Sequence, residues 1–467
     1  MLFSSIVFLY YFLPCVLLLY FISPKRMKNL VLLSASLFFY WWGEPKYVLL
    51  MIFTILLGYG HGILIDKFRG DKASKVFLIS SVSTSIMLLG FFKYADFFIK
   101  NTNALFSSSL SLLNLALPIG ISFYTFQTLS YTIDVYRGDA KVIKNPINLA
   151  TYVALFPQLI AGPIVRYTTI EEALNHRTHS LDDFAYGAFR FVVGLAKKVL
   201  IANALGELCE IFLDSGEKSV LFFWVYAIAF SLHIYFDFSG YSDMAIGLGR
   251  IFGFHYLENF NYPYVSKSVT EFWRRWHMSL STWFRDYIYI PMGGNRVKVS
   301  RWLFNIIVVW MLTGFWHGAE WNFIVWGLFF ALFLIIEKLW IGKYLEKAPS
   351  VLSRFYVLLL VAVSFVIFNA DGMKEAITYI SAMFGTQGYP LITAETLYYL
   401  RSYAVIIGIA VIGSTPFIKN SVQLLQQYHA ARRILNTVEP VVMVALLLVI
   451  TAYLVDGSFN PFLYFRF

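Results

Sequence analysis

The chain has 467 residues, of which 59% are hydrophobic and 14% charged, against roughly 25% charged in an ordinary soluble domain. That composition excludes a soluble globular protein and points to an integral membrane protein. The net charge of +10 gives no reason to invoke a nucleic-acid partner, because the Lys and Arg residues are punctuated by apolar runs long enough to enter a bilayer.

Those runs lie near residues 2–22, 30–42, 47–65, 76–92, 110–133, 149–165, 186–205, 219–238, 302–318, 322–341, 355–369, 402–418 and 440–455. Several approach the roughly 20 residues a spanning helix needs, while the shorter ones suit broken, tilted or re-entrant helices. The expected class is an all-α polytopic membrane protein, with residues 1–467 forming a single membrane domain. The first run has no small-residue cleavage pattern and leads straight into further spans, so it is expected to be retained. The breaks after the first and third runs hold Lys25, Arg26 and Lys28, then Lys67, Arg69, Lys72 and Lys75, whereas the break after the second holds only Glu44 and Lys46. The positive-inside rule then puts the N-terminus outside the cytoplasm. Cys15 and Cys209 are far apart in sequence and read as inert packing residues.

Between about 255 and 301 aromatic and charged residues mix too densely for a lipid-facing span. Short amphipathic helices dipping in from the cytoplasmic face are expected. Arg274 and Arg285 are eleven residues apart, close to three turns, so a continuous helix would put them on one face able to grip phosphates. A plain interfacial helix, its arginines on anionic lipid and its tryptophans at the headgroups, explains the same residues. Glu271 and Arg275 have the spacing of a helix-surface ion pair.

His317 lies deep in the apolar string Thr313-Gly314-Phe315-Trp316-His317-Gly318, and Trp276-His277 stands 40 positions earlier. Ionisable groups at membrane depth mark functional sites by default. The competing reading of His317 is a core histidine paired with a carbonyl or with Glu320. Asp237, Ser239 and Asp243 surround Gly240 and either line a passage or anchor a helix break; two carboxylates six apart do not share a helix face. His61, His233 and His255 lack comparable flanks. No His-Glu-x-x-His is present, and no metal is expected.

Five strings occur in order: Pro118–Gln127 (PIGISFYTFQ), Phe156–Ile164 (FPQLIAGPI), Tyr235–Asp243 (YFDFSGYSD), Phe272–Ser281 (FWRRWHMSLS) and Gly314–Gly318 (GFWHG). Together they resemble the membrane-bound O-acyltransferases, specifically the branch serving alginate O-acetylation in bacteria. The core motifs cover about 118–340, and the closing Asn460–Phe467 also fits. The resemblance implies a ring of helices around a thin central funnel or tunnel, in the inner membrane of a bacterium. It puts His317 at the family's invariant histidine and His277 at the second histidine of this branch. It further implies a cytoplasmic thioester donor, acetyl-coenzyme A, with no permanently bound cofactor. Beyond the bilayer, the implied partners are an SGNH-type extracytoplasmic acetyltransferase and a polysaccharide acceptor. The same motifs recur in the peptidoglycan, cellulose and teichoic acid D-alanylation homologues, so the acceptor stays open.

The chemistry is also arguable from the residues. A hydroxyl is a poor nucleophile until a base takes its proton, and histidine can take and return one near neutral pH. His317 is the expected base. His277 is expected to polarise the thioester carbonyl, hold the donor, or orient His317. Arg274, Arg275, Arg285 and Arg296 are the candidate donor contacts, and Trp316, Trp321, Phe315, Asp237 and Ser239 the candidate tunnel lining. A transporter or flippase would need paired charges at mid-membrane or repeated broken helices. A structural subunit of an exporter would make His317 dispensable.

Overall fold

Every backbone N–H and C=O inside a bilayer must find its partner within the protein, which favours helices wherever the chain is apolar. The computed structural model describes residues 1–457, and helices are its regular structure throughout. The closing Asn460–Phe467 lies outside the described residues. Among the described residues seven helices are long and apolar enough to cross a membrane, or eight if one bent pair counts as a span. The chain divides into two units, residues 1–191 with 242–257, and residues 192–241 with 258–467.

The first unit contains α1 (Phe8–Ile22), α2 (Lys28–Gly43), α3 (Val48–Lys67), α4 (Lys72–Phe106), α5 (Ile121–Arg137), α6 (Pro146–Ala154), α7 (Tyr167–Asn175) and the start of α8 (Leu181–Ala196). The apolar run near 110–133 becomes helical only at Ile121. Pro118 disfavours helix before it, and Gly120 takes a left-handed φ of 74°. A Cβ at Gly120 would press on the Leu159 carbonyl at 2.6 Å, so this glycine lets the first two motif strings meet. The run near 149–165 breaks at Leu155, and Pro157 opens a single further turn, Phe156–Leu159. Gln158 is fully buried and donates from Nε2 to the Tyr152 carbonyl at 2.6 Å.

The second unit takes in the rest of α8, then α9 (Asn203–Asp214) and most of α10 (Val220–Ile251). Two short helices follow, α11 (Val269–Arg275) and α12 (Met278–Phe284). Next come α13 (Val299–His317), α14 (Trp321–Ile336), α15 (Ser350–Asn369), α16 (Met373–Met383), α17 (Ala394–Ser402), α18 (Ala404–Gly413), α19 (Phe417–Leu425) and α20 (His429–Val455). Its core is aromatic: Phe212, Phe222, Tyr226 and Phe230 join Trp273, Trp326, Phe330 and Phe365 in one buried cluster. Helix α10 is the most enclosed span, with 78% of its apolar window buried, whereas α20 has 6%. The first is therefore largely enclosed by protein and the second largely uncovered by it. The run near 402–418 starts at a 55° bend between α17 and α18 and is interrupted at 414–416, between α18 and α19. The run at 440–455 is the apolar part of the longer α20, which carries Pro440 inside it.

Candidate active site

The site is built where α13 meets α14. A Cβ at Gly314 would collide with the Phe323 carbonyl, and one at Gly327 with the Trp310 carbonyl. Glycine at both positions lets the two helix backbones touch, the close approach that small residues permit between membrane helices. His317 is the last residue of α13 and is 7% exposed. Its ring lies 4.9 Å from Trp316, 5.1 Å from Trp326 and 5.3 Å from Phe368, each nearly perpendicular to it. Phe368 is held in place because Asn322 donates from Nδ2 to the Ala370 carbonyl at 2.9 Å, tying the end of α15 to the start of α14.

His277 is the second residue of the two-residue joint, Trp276 and His277, between α11 and α12. Ser268 caps α11 by accepting from the Glu271 N–H at 3.0 Å, and the Glu271 carboxylate accepts from the Lys267 N–H at 2.8 Å, one residue before the position a capping box uses. Glu337, 5% exposed, accepts from the Val269 N–H at 2.6 Å and from the Thr270 N–H at 3.0 Å. A buried carboxylate on the turn after α14 thus neutralises the positive end of α11. The helix stops at Arg275, and His277 adopts a left-handed φ of 43°, which is strained for a non-glycine residue and points to a functional constraint.

The His277 side chain is 1% exposed. It packs edge-on to Phe238, with ring centroids 4.6 Å apart, and lies 6.2 Å from Trp316. Trp316 thereby connects the two histidines through one indole. Burial pushes the His277 pKa down to about 3, because a low-dielectric setting disfavours imidazolium. At neutral pH the ring is uncharged.

The four arginines divide. Arg275 is paired with Glu271 at 2.8 Å and Arg285 with Asp286 at 2.6 Å, whereas Arg274 and Arg296 are exposed. Arg274 and Arg285 do not share a continuous helix, contrary to the condition set by their spacing: the left-handed joint at His277 separates them, and Arg285 opens a π-helical turn. Trp316 is buried and Phe315 half-buried, while Trp321 is 53% exposed and faces outward from the first turn of α14. Asp237 meets Lys198 at 2.5 Å, both side chains 1% exposed. Ser239 is buried with no hydrogen-bond partner for its hydroxyl among the described residues. In the first unit Asp243 holds Arg190 at 2.6 Å. His61 and His233 bond backbone carbonyls, at Leu57 and Ala202, and His255 is exposed. Among the described residues no three of His, Cys, Asp and Glu converge as metal ligands.

Sequence reasoning missed Lys198, Asn259 and Glu337. Lys198 follows Lys197 in an apolar segment, and a lysine there signals a buried partner. Glu337 lies at the end of an apolar run. Asn259 carries no sequence signal beyond its place in a loop.

Residues 140–381 match the model of MBOAT, the membrane-bound O-acyltransferase family. The chain belongs to the membrane-bound O-acyltransferases. It is 43% identical over 393 residues to a probable alginate O-acetylase AlgI of Azotobacter vinelandii, covering 82% of this chain and 78% of that one. It is 34% identical over 427 residues to the peptidoglycan O-acetyltransferase of Helicobacter pylori, covering 84% and 81%. With the teichoic acid D-alanyltransferase of Bacillus subtilis it shares 31% identity over 268 residues, 54% of this chain and 67% of that one. This membrane-bound O-acyltransferase is therefore a multi-pass membrane enzyme of acyl transfer, and α13 to α15, with His317 among them, fall inside the matched region.

Proposed function

We propose that this enzyme takes an acetyl group from acetyl-coenzyme A on the cytoplasmic side and passes it across the inner membrane for O-acetylation of an extracytoplasmic polysaccharide such as alginate, through an SGNH-type partner acetyltransferase. His317 is the general base, and Trp316, Phe315 and Ser239 are proposed to line the acyl path. The observation that carries this reading is His317 itself, enclosed by Trp316, Trp326 and Phe368 at the end of a membrane helix. An imidazole held at the end of a membrane helix supplies the acid–base capacity near neutral pH that activating a hydroxyl requires. The name of the Azotobacter relative supports an acetyl group and alginate.

The donor is expected to stay cytoplasmic, because coenzyme A phosphates cannot enter an apolar passage without a large desolvation cost. The basic loops at Lys25–Lys28 and Lys67–Lys75 support an extracytoplasmic N-terminus. A second acceptor, peptidoglycan, is favoured by the Helicobacter relative, which matches over as much of the chain.

The decisive experiment uses His317→Ala and His317→Gln with membrane abundance checked. A loss of about 10²–10⁴ in acetyl transfer is expected at normal abundance, and wild-type transfer by either variant refutes the assignment. Inside-out vesicles given labelled acetyl-coenzyme A are expected to accumulate label on a lumenal acceptor while free coenzyme A appears outside. Coenzyme A inside the lumen would refute the transfer route.

A further inference from the structure

The surroundings of His277 decide which of its two nitrogens carries a proton. Asn259, 1% exposed, lies in the loop before α11 and is pinned by its own backbone, whose carbonyl accepts from the Met278 N–H at 3.0 Å. Its side-chain Oδ1 accepts from the Ser279 N–H at 3.2 Å and from the Ser279 hydroxyl at 2.9 Å. A backbone N–H can only donate, so the Asn259 atom facing it is the oxygen and not the amide nitrogen. That same oxygen is 3.1 Å from His277 Nδ1. The other polar atom near Nδ1 is Ser279 Oγ at 3.4 Å, whose hydrogen is directed at Asn259. Nδ1 therefore faces acceptors alone and must hold its hydrogen. A neutral imidazole has one N–H, so Nε2 is left with a bare lone pair. Nε2 is buried and has no hydrogen-bond partner among the described residues, an arrangement costly unless a ligand group completes it.

We infer that Asn259 is a positioning residue that locks His277 as the Nδ1–H tautomer, so that His277 enters acyl transfer through Nε2 as a hydrogen-bond acceptor. Of the roles open to His277, polarising the thioester carbonyl requires an Nε2–H that this tautomer lacks. What remains is to receive an O–H or N–H from the acyl acceptor. The left-handed backbone at His277 fits this assignment, since it is what turns the ring toward Asn259 while α11 and α12 run on either side. The inference rests on the acyl-transfer reading for its consequence in catalysis, though not for the tautomer.

Two measurements on the full chain in nanodiscs test it. The first is the 15N spectrum of histidine-labelled protein, with the His277 signals identified by subtracting the spectrum of His277→Gln. A pyridine-type Nε2 and a pyrrole-type Nδ1 are expected at neutral pH. A pyrrole-type Nε2 overturns the proposal, whatever the activity. The second compares Asn259→Ala with Asn259→Asp. Alanine frees Nδ1 and is expected to lower kcat about ten- to a hundredfold, the loss of one buried hydrogen bond, with donor KM within about twofold.

Aspartate restores the accepting oxygen, so it recovers most of kcat at high pH. Its carboxylate also favours imidazolium, which raises the His277 pKa and moves the acid limb of the pH–rate profile to higher pH. A purely structural role for Asn259 predicts no such movement. Wild-type kcat in Asn259→Ala with an unchanged spectrum overturns the proposal. A pyridine-type Nε2 in a wild-type protein that transfers no acetyl group upholds the tautomer and sinks the proposed function instead.

Discussion

Lys198 Nζ and Asp237 Oδ1 meet at 2.5 Å with both side chains 1% exposed, a sealed ion pair between the π-helical turn after α8 and the middle of α10. Removing one partner of such a pair leaves an uncompensated buried charge, at a cost of about 3–5 kcal/mol, whereas replacing both by apolar groups of similar size is often near neutral. Asp237→Asn and Lys198→Met are each expected to lower the thermal midpoint and membrane yield sharply. The double variant Lys198→Met with Asp237→Leu should recover most of the loss. A double variant as unstable as the sum of the singles would show no coupling between the two groups and overturn the paired reading.

The buried neutral His277 makes stability depend on pH in a defined direction. Its folded pKa is depressed to about 3 from an unfolded value near 6.5, so between these values the unfolded chain binds the extra proton. Stability is lost as pH falls below about 6.5, by about 1.4 kcal/mol per pH unit at the limit. Thermal unfolding of wild type and His277→Gln between pH 7.5 and 5 should show the wild type losing ground to the variant as pH falls. Parallel midpoints across that range would contradict a buried neutral imidazole.

Glu337 holds the positive end of α11 through two backbone N–H groups and the Thr270 hydroxyl at 3.0 Å. Glu337→Ala strands those donors, at about 1–3 kcal/mol, and loosens the helix leading to His277. Glu337→Gln keeps one accepting oxygen. The expected order of both thermal midpoint and kcat is wild type, then glutamine, then alanine.

Arg274 and Arg296, set against the ion-paired Arg285, separate donor binding from local ion pairing. Substituting Arg274 and Arg296 together by Gln should raise KM for the acyl donor with little change in kcat, since phosphate contacts mainly bind and position. Arg285→Gln, which releases Asp286, is expected to leave donor KM closer to wild type. Unchanged KM in the Arg274 and Arg296 variant would assign those side chains to the lipid headgroups.

A glycine pair tests the contact that seats His317. Gly327→Ala drives a methyl group into the Trp310 carbonyl and should cost about 1–3 kcal/mol as overpacking. Gly60→Ala, with open space around it, should stay within about 0.5 kcal/mol.

The helical class and most spans were legible because hydropathy is a property of contiguous residues. Bounds failed where local residues overruled the run: Gly120 and Pro118 delayed α5, and residues 414–416 part α18 from α19. His317 and His277 were legible as polar residues with apolar flanks. Their surroundings were not. Asn259 reaches His277 across 18 residues, Glu337 reaches Val269 across 68, and Asn322 reaches Ala370 across 48, and no local pattern encodes such pairings. Trp321 read like Trp316 in sequence, yet the turn at Gly318 sends it to the outer surface.

Helix α20, with 6% of its apolar window buried against 78% for α10, implies two regimes of sequence drift within one chain. Where few protein atoms press on a helix, one aliphatic side chain serves as well as another, and substitutions among Leu, Ile, Val and Met in α20 should accumulate freely. In α10 each side chain meets fixed protein atoms, so a change there must await a matching change nearby. A saturation-mutagenesis map would be pale along α20 and dark along α10, although the apolar window of α20 is the more hydrophobic of the two.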